Sequence, residues 1–297
     1  MTDVAAQREL LRVSGGARRR KLVNLVAQST ATAAALLAVA VLAIIVGSVF
    51  VKGVDGLDWD FLTKTPATFG ETGGGIANAI VGSLLIVAMA TLMALPVGVL
   101  VAIYVSEFAP PTLQRVVRLA LDVLNGVPSI VIGIFVFALL IVGHHQSAVA
   151  GAIALAIIML PLVARATQEV LALVPRDLRE ASFALGVSRW RTVLNVVLPT
   201  CAGGIMTGTI LAVARAAGET APILFTTSIA SNSVDTNVTH ALQTIPFVIF
   251  TYAEAPDPAL NAQAWAAAFI LITFVLVLSL GGRAVLARTR RKLGQTR

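Results

Sequence analysis

Long stretches without any Asp, Glu, Lys or Arg constrain this sequence more than any other feature. Residues 22–51 hold none over 30 residues, residues 76–106 none over 31, and residues 123–164 none over 42. A helix needs about 20 mostly apolar residues to cross a bilayer. The first two stretches therefore each predict one spanning helix. The third is long enough for two, with the turn predicted at "GHHQS", residues 143–147.

Two further apolar stretches, 199–229 and 262–283, bring the predicted spans to six. The sequence thus predicts an all-α membrane protein. Composition agrees, because 57% of the residues are hydrophobic and 12% are charged, whereas soluble domains carry about 25% charged residues. The first stretch exceeds the apolar core of a signal peptide, about 7–15 residues, and is predicted to remain as a span.

The distribution of Lys and Arg predicts the orientation. Of the 22 in the sequence, 19 lie before the first span, between spans two and three, between four and five, or after the sixth. Lys52 and Lys64 fall on the opposite side, and Arg215 lies within the fifth span. By the positive-inside rule both termini are predicted to be cytoplasmic. The net charge of +7 is therefore interpreted as a topology signal and does not indicate nucleic-acid binding.

The two predicted outer loops are acidic. They comprise residues 52–75 and 230–261. The second contains "LQTIPFVIFTY" (242–252), which is apolar enough to lie on the membrane surface or dip into it.

The cytoplasmic segment 168–199 predicts two short amphipathic helices. Gly186 suits the turn between them, and Ser188 can cap the second. An alternative is a helix pair lying on the bilayer surface. The apolar positions at helical spacing are Leu171, Val174, Leu178, Ala181 and Leu185 in the first helix, and Trp190, Val193, Leu194 and Val197 in the second.

The spacing within this segment resembles the EAA loop of ABC-importer permeases. The pattern is Glu180-Ala181-Ser182, three residues, Gly186, nine residues, Val196, one residue and Leu198-Pro199. Ser182 stands where that family has a second Ala. The resemblance implies a type I ABC importer permease (MetI-like) fold, in which this loop docks into a groove of an ATP-binding subunit.

The sequence contains no phosphate-binding loop of the Gly-x-x-x-x-Gly-Lys-[Ser/Thr] type. This chain is therefore expected to bind no cofactor and to have no ATPase site. ATP and Mg are expected on the partner ATPase.

Four longer stretches resemble one of the two membrane subunits of bacterial phosphate ABC importers, over roughly residues 76–287. Thr220-Ala221-Pro222 separates the chain from the sister subunit, PstC. The stretches are "NGVPSIVIGIF" (125–135), "LPLVARATQEVL" (160–171), "GIMTGTILAVARAAGETAPILFT" (204–226) and "AWAAAFILI" (264–272).

This resemblance implies a phosphate permease in the bacterial inner membrane. Its expected partners are a PstC-like permease in a heterodimer, two copies of a PstB-like ATPase, and a PstS-like periplasmic phosphate-binding protein. Transport of another oxyanion, sulfate or molybdate, is the alternative, and a scaffold that only senses phosphate is a further one. The expected segments are the basic residues 1–21, the first span and outer loop 22–75, the permease domain 76–287 with its coupling loop at about 168–199, and the basic tail 288–297.

Arg215 and Glu219 lie in the middle of the predicted fifth span, one helical turn apart. A charge at the bilayer centre costs about 2.5–3.5 kcal/mol or more, so the pair is expected to face protein or water. Since the planar guanidinium binds phosphate through two hydrogen bonds, Arg215 is predicted to contact the anion, with Glu219 pairing it when phosphate is absent. The alternative is an ion pair that only holds helices together.

Arg165 is predicted to be a second, inner contact for the anion. A side chain that extends to the lipid headgroups is the alternative. Asn125, Ser129 and Thr220 are candidate neutral donors along the path, although packing explains each equally well.

Other polar residues indicate no further site. Asp122 and Glu107 are expected to pair arginines or to tether the ATPase. His144, His145 and His240 have no ligand set at metal-binding spacing, which argues against a membrane-embedded enzyme.

Overall fold

The computed structural model describes residues 15–67, 73–229 and 231–294, although not the side chains of 15–18, 283 and 285–294. The chain divides into two compact units, residues 1–51 and 52–297. Most of the predicted basic N-terminal segment and the last three residues of the predicted tail lie outside the described residues.

The first unit consists, where described, of one helix. Helix α1 runs Gly15–Val54 and contains the predicted first span, 22–51. Three hydroxyls in this apolar helix are bonded to the backbone one turn earlier: Ser29 to Leu25 O, Thr30 to Val26 O and Thr32 to Gln28 O. Such bonds allow hydroxyls in a helix that crosses lipid, where water cannot satisfy them.

The second predicted span is confirmed as a long helix. A short helix, α2 (Trp59–Thr63), comes first and is capped by Asp58, which accepts a bond from the backbone of Phe61. Helix α3 runs Ala77–Ile103 and continues as a π-helical turn over Tyr104–Phe108. It ends there because prolines follow at 110 and 111, and proline cannot donate a helical backbone bond.

The third predicted span is not one straight helix but part of a bent pair of helices. Helix α4 (Pro111–Gly126) has one apolar and one polar face, and helix α5 (Ser129–Leu140) turns from it by 97°. The bend falls at Pro128, since the residue before a proline avoids the helical conformation. Because α5 has 12 residues, about 18 Å of helix, only the bent pair together qualifies as a span.

The fourth predicted span is confirmed as helix α6, Ala148–Ala172, whose first turn is capped by Ser147. Segment 168–199 departs from the prediction of two separate short helices. Helix α7 (Arg176–Ala184) is indeed short, but α8 (Arg189–Thr192) continues through a π-helical turn (Val193–Val197) into α9 (Leu198–Ala217). The π-helical turn precedes Pro199, which has no N–H for the regular backbone bond.

The fifth predicted span, 199–229, is not one helix. Helix α9 stops at Ala217, and a second helix, α10, covers Ala221–Thr226. Arg215 therefore lies in the last turn of a helix rather than in the middle of one. The described residues contain five helices that are long and apolar enough to cross a membrane, or six with the bent pair α4–α5.

The outer segment 242–252 is folded between helices. Helix α11 (Ile245–Ala253) packs against α12 (Pro258–Gly294), which contains the predicted sixth span. Leu242, Gln243 and Thr244 are buried, and Ser83 of α3 accepts a bond from the backbone of Ile245. Other parts of the chain cover residues 242–246 and Val248 of this segment, whereas Phe250 is exposed.

The core of the second unit lies where α3, α6 and α9 meet. Small residues bring α9 and α6 close together. A Cβ added at Gly204 lies 2.5 Å from the Val170 side chain, and one added at Gly208 lies 2.4 Å from Ala166. Glycines four residues apart are a recurring solution for helices packed within lipid.

Candidate functional site: two ion pairs at helix ends

The gap between α9 and α10 is the centre of the candidate anion site. Gly218 ends α9, its backbone N–H bonding to Arg215 O, and Thr220 stands at the start of α10. Pro222 in the first turn favours a new helix over the continuation of the old one. The chain thus interrupts a long helix within two residues of the charged pair.

Arg215 and Glu219 contact each other across this gap. Arg215 Nε lies 3.6 Å from Glu219 Oε1, and the Arg215 side chain is 56% exposed against 17% for Glu219. The predicted proximity of the two residues is confirmed, although no continuous helix joins them. A cation in the last turn of a helix is stabilised by the carbonyl ends of that helix.

Glu219 lies beside a small cavity that sequence reasoning missed. Ser83 and Thr244 line this cavity together with Glu219, and Thr244 Oγ1 is buried without a hydrogen-bond partner. Nearby, Asn78 donates to the side chain of Gln243 at 2.5 Å. The sequence could have indicated this polar region, because Asn78 and Ser83 are polar residues inside an otherwise charge-free span.

Arg165 forms an ion pair with Asp122, which joins α6 to α4. The expectation that Asp122 pairs an arginine is confirmed. Both side chains are more than a third exposed, so the pair is open to solvent in this chain. Arg165 lies within α6, seven residues before its end.

Asn125, one turn beyond Asp122, and Ser129, the first residue of α5, flank the bend between α4 and α5. Ser129 lies one turn before Gly133, whose added Cβ falls 2.7 Å from Pro222 of α10. The face of α5 that carries Gly133 therefore contacts the first turn of α10, which directly follows Thr220. Among the described residues, Arg215 and Arg165 form separate ion pairs, the first with Glu219 and the second with Asp122.

The predicted coupling residues form a compact turn. Gly186 has φ +75°, a conformation that favours glycine, and Ser182 is bonded to Thr192 across the turn at 2.8 Å. Ser188 occupies the predicted capping position, but its side chain makes no capping bond.

The remaining residues of the motif divide between surface and core. Glu180 and Ala181 are exposed, as is Pro199, while Leu198 is half-buried. On the predicted apolar face of the first helix, Leu178 and Leu185 are also exposed. Helix α7 and the residue that follows it therefore present an uncovered surface of mixed polarity, formed by Leu178, Glu180, Ala181 and Leu185.

The described part of the chain contains no cluster of three or more His, Cys, Asp or Glu side chains that could hold a metal ion. His144 and His145 are exposed as predicted, and His240 Nδ1 lies 2.7 Å from Asp235 Oδ2. The backbone N–H of Asn237 and the His240 side chain together lower the pKa of Asp235.

Comparison with known proteins supplies the family. Residues 94–291 match the family described as binding-protein-dependent transport system inner membrane component. A phosphate transport system permease protein PstA of Xylella fastidiosa (strain Temecula1) is 38% identical over 277 residues, which are 92% of this chain and 96% of the relative. PstA of Pasteurella multocida is 41% identical over 235 residues, 78% of this chain and 83% of the relative.

Solved structures support the same fold. An inward-facing structure of the MetNI methionine ABC transporter aligns with a TM-score of 0.59 at 18% identity, covering 72% of this chain and 97% of that one. A bacterial ABC transporter involved in the import of the acidic polysaccharide alginate aligns with a TM-score of 0.60 at 13% identity, covering 90% and 99%. These likenesses establish the type I ABC importer permease (MetI-like) fold, and with the sequence relatives they show that the chain belongs to the PstA family of phosphate transport system permease proteins.

Proposed function

We propose that this chain carries inorganic phosphate across the bacterial inner membrane as one of two permease subunits of an ATP-driven importer. The observation that carries the proposal is the Arg215–Glu219 pair, whose arginine is exposed and which lies where an apolar helix is interrupted. The relatives of this chain are named phosphate transport system permeases. The chain is a transport permease and not a catalytic enzyme.

Arg215 is proposed to bind the passing phosphate. Among the described residues, its exposed side chain makes one long ionic contact, of 3.6 Å, to Glu219. Hydrogen bonds from a guanidinium to phosphate are charge-assisted and frequently bidentate. An anion that arrives at Arg215 therefore competes with a single weak contact, and Glu219 displaces the anion again by re-forming that contact.

Arg165 is proposed as a second contact on the cytoplasmic side, released from Asp122 in the same way. Asn125, Ser129 and Thr220 would supply neutral hydrogen bonds near the bend and the helix gap. The orientation with both termini in the cytoplasm is part of this proposal, since it places Arg165 and the 168–199 loop on the side of the ATPase.

The partners proposed are a PstC-like permease, two copies of a PstB-like ATPase and a PstS-like phosphate-binding protein. The exposed Glu180 and Ala181 of α7, together with the tight turn at Gly186, support a docking surface for the ATPase. ATP and Mg would bind to that partner and none to this chain.

The test is uptake by proteoliposomes that contain the complete complex, ATP and excess binding protein. Labelled phosphate is expected to accumulate, with arsenate competing and a similar excess of sulfate or molybdate having little effect. Accumulation of labelled sulfate or molybdate in place of phosphate would establish the alternative substrate class. No ATP-dependent accumulation of any of these anions would refute the proposal.

A further inference from the structure

A second ion pair lies away from the candidate anion site, where the coupling loop joins the membrane helices. Arg179 of α7 donates to Glu107 Oε1 at 2.7 Å, and Glu107 belongs to the π-helical turn at the end of α3. The two side chains are 72 residues apart in sequence. The contact therefore links the exposed coupling helix directly to a long apolar helix.

Arg179 also binds the end of a third helix. Its guanidinium donates to Val174 O at 2.8 Å and to Leu171 O at 3.0 Å. Leu171 is in the last turn of α6, where backbone carbonyls lack helical partners. One planar cation with five N–H donors thus holds α3, α6 and α7 together.

Burial distinguishes this pair from the other ion pairs described. Glu107 is 9% exposed and Arg179 is 19% exposed. A buried charge without its partner is strongly destabilising, whereas an exposed pair contributes little. Loss of either charge is therefore expected to disturb the relative positions of α3 and α7 more than loss of an exposed contact would.

The next residue of the π-helical turn contacts the other side of the loop. The ring of Phe108 lies 5.6 Å from the ring of Trp190. The Arg189 guanidinium lies 5.3 Å from the centre of the Phe108 ring. The two halves of the loop are bonded to each other through Ser182 and Thr192. Glu107 and Phe108 therefore connect the end of α3 to α7 and to α8.

We propose that the Glu107–Arg179 pair is the rigid link that transmits movement of the coupling helix α7 to α3, so that ATP use at the loop moves the membrane helices. Glu107 and Arg179 are positioning residues that act through α3. This inference rests on the proposed function, because it requires an ATPase bound at α7. It predicts that loss of the pair separates ATP hydrolysis from transport without preventing assembly.

The test compares Glu107→Gln with wild type in the complete complex reconstituted into proteoliposomes. Three quantities are measured: co-purified ATPase subunit, ATP hydrolysis stimulated by loaded binding protein, and phosphate accumulated per ATP hydrolysed. We expect assembly to persist and the ratio of phosphate to ATP to fall about tenfold, within the range of roughly 5–150-fold that is typical of coupling between sites. A purely structural pair would reduce the amount of complex and leave the ratio unchanged.

Two further variants sharpen the test. The double variant Glu107→Gln/Arg179→Gln removes both charges, and its ratio is expected to be no lower than that of the single variant, since the two residues act as one unit. Asp60→Asn is the matched control. It breaks the exposed Lys64–Asp60 pair and is expected to leave the ratio at the wild-type value.

The outcomes separate this inference from the proposed function. Wild-type complex that hydrolyses ATP without accumulating phosphate contradicts the proposed function. Normal wild-type transport, with an unchanged ratio in the Glu107→Gln complex, overturns the transmission role alone. Failure of both the single and the double variant to assemble assigns the pair to folding only, and also overturns that role.

Discussion

The ion pairs Arg215–Glu219 and Arg179–Glu107 place the same chemical groups in opposite settings. Arg215 is more than half exposed and, within the part of the chain that the structure describes, makes one ionic contact at 3.6 Å. Arg179 is mostly buried and makes three contacts, all at 3.0 Å or less. The first pair lies at a gap between two helices, and the second joins three helices.

This difference separates two tasks within one chain. A single long contact at an exposed guanidinium is easily exchanged for an incoming anion, because little is lost when it breaks. A mostly buried cation that donates to three acceptors resists displacement. The exposed pair Arg215–Glu219 (the open pair) therefore suits binding and release of an anion. The buried pair Arg179–Glu107 (the closed pair) suits the transmission of movement.

The largest expected effect is at the open pair. Arg215→Gln is expected to reduce phosphate uptake by about 100-fold or more, since it removes charge-assisted hydrogen bonds worth about 1.5–3 kcal/mol each. ATP hydrolysis by the assembled complex is expected to continue. The loss of uptake and the persistence of ATP hydrolysis are measured as initial rates in proteoliposomes, with labelled phosphate.

The double variant Arg215→Gln/Glu219→Gln tests whether this pair only holds helices together. In that case removing both charges restores uptake, because no unpaired carboxylate remains. If Arg215 binds phosphate, the double variant stays inactive. Restored uptake would contradict the contact between Arg215 and the anion. The open and the closed pair would then both be structural, with no difference in task.

The next effect concerns stability, where the buried pair is expected to matter more than an exposed one. Arg179→Gln leaves Glu107 buried without a counter-ion and is expected to cost about 3–5 kcal/mol. The matched variant Arg165→Gln breaks the exposed pair with Asp122 and is expected to cost about 0–1 kcal/mol. Apparent melting temperatures of the purified complexes give the order, and equal shifts would show that burial does not distinguish the pairs.

The smallest effect is expected at the exposed pair Asp235–His240. Hydrogen bonding lowers the pKa of Asp235 below its ordinary value of 3.8. Its contribution to loop stability is therefore complete above about pH 3.8 and is lost as the pH falls through the lower folded value. Hydrogen exchange of the 235–240 amides, corrected for intrinsic rates, is expected to rise only in that acidic range for wild type.

Asp235→Asn provides the control for that measurement. Protection of the same amides is expected to become insensitive to acid, while phosphate uptake at neutral pH remains at the wild-type level. An increase in wild-type exchange already between pH 5 and 7 would contradict the assignment to Asp235, because its carboxyl is ionised throughout that range.

The amino-acid sequence by itself predicted the helical membrane class, the EAA loop with its turn at Gly186, and the proximity of Arg215 to Glu219. These features depend on local information: apolar length, motif spacing and the conformational preference of glycine. The orientation of the termini was also read from the sequence and stays a prediction.

Only the tertiary structure decided where the long helices break and which charges are buried. Hydropathy treats 199–229 as one apolar stretch, because Gly218 and Pro222 interrupt a helix without lowering its apolar content. Likewise, nothing local shows that Glu107 meets Arg179, since that contact depends on the packing of α3 against the end of α6. Partner choice between distant charges is set by the folded arrangement of helices, and the sequence of either helix alone does not contain it.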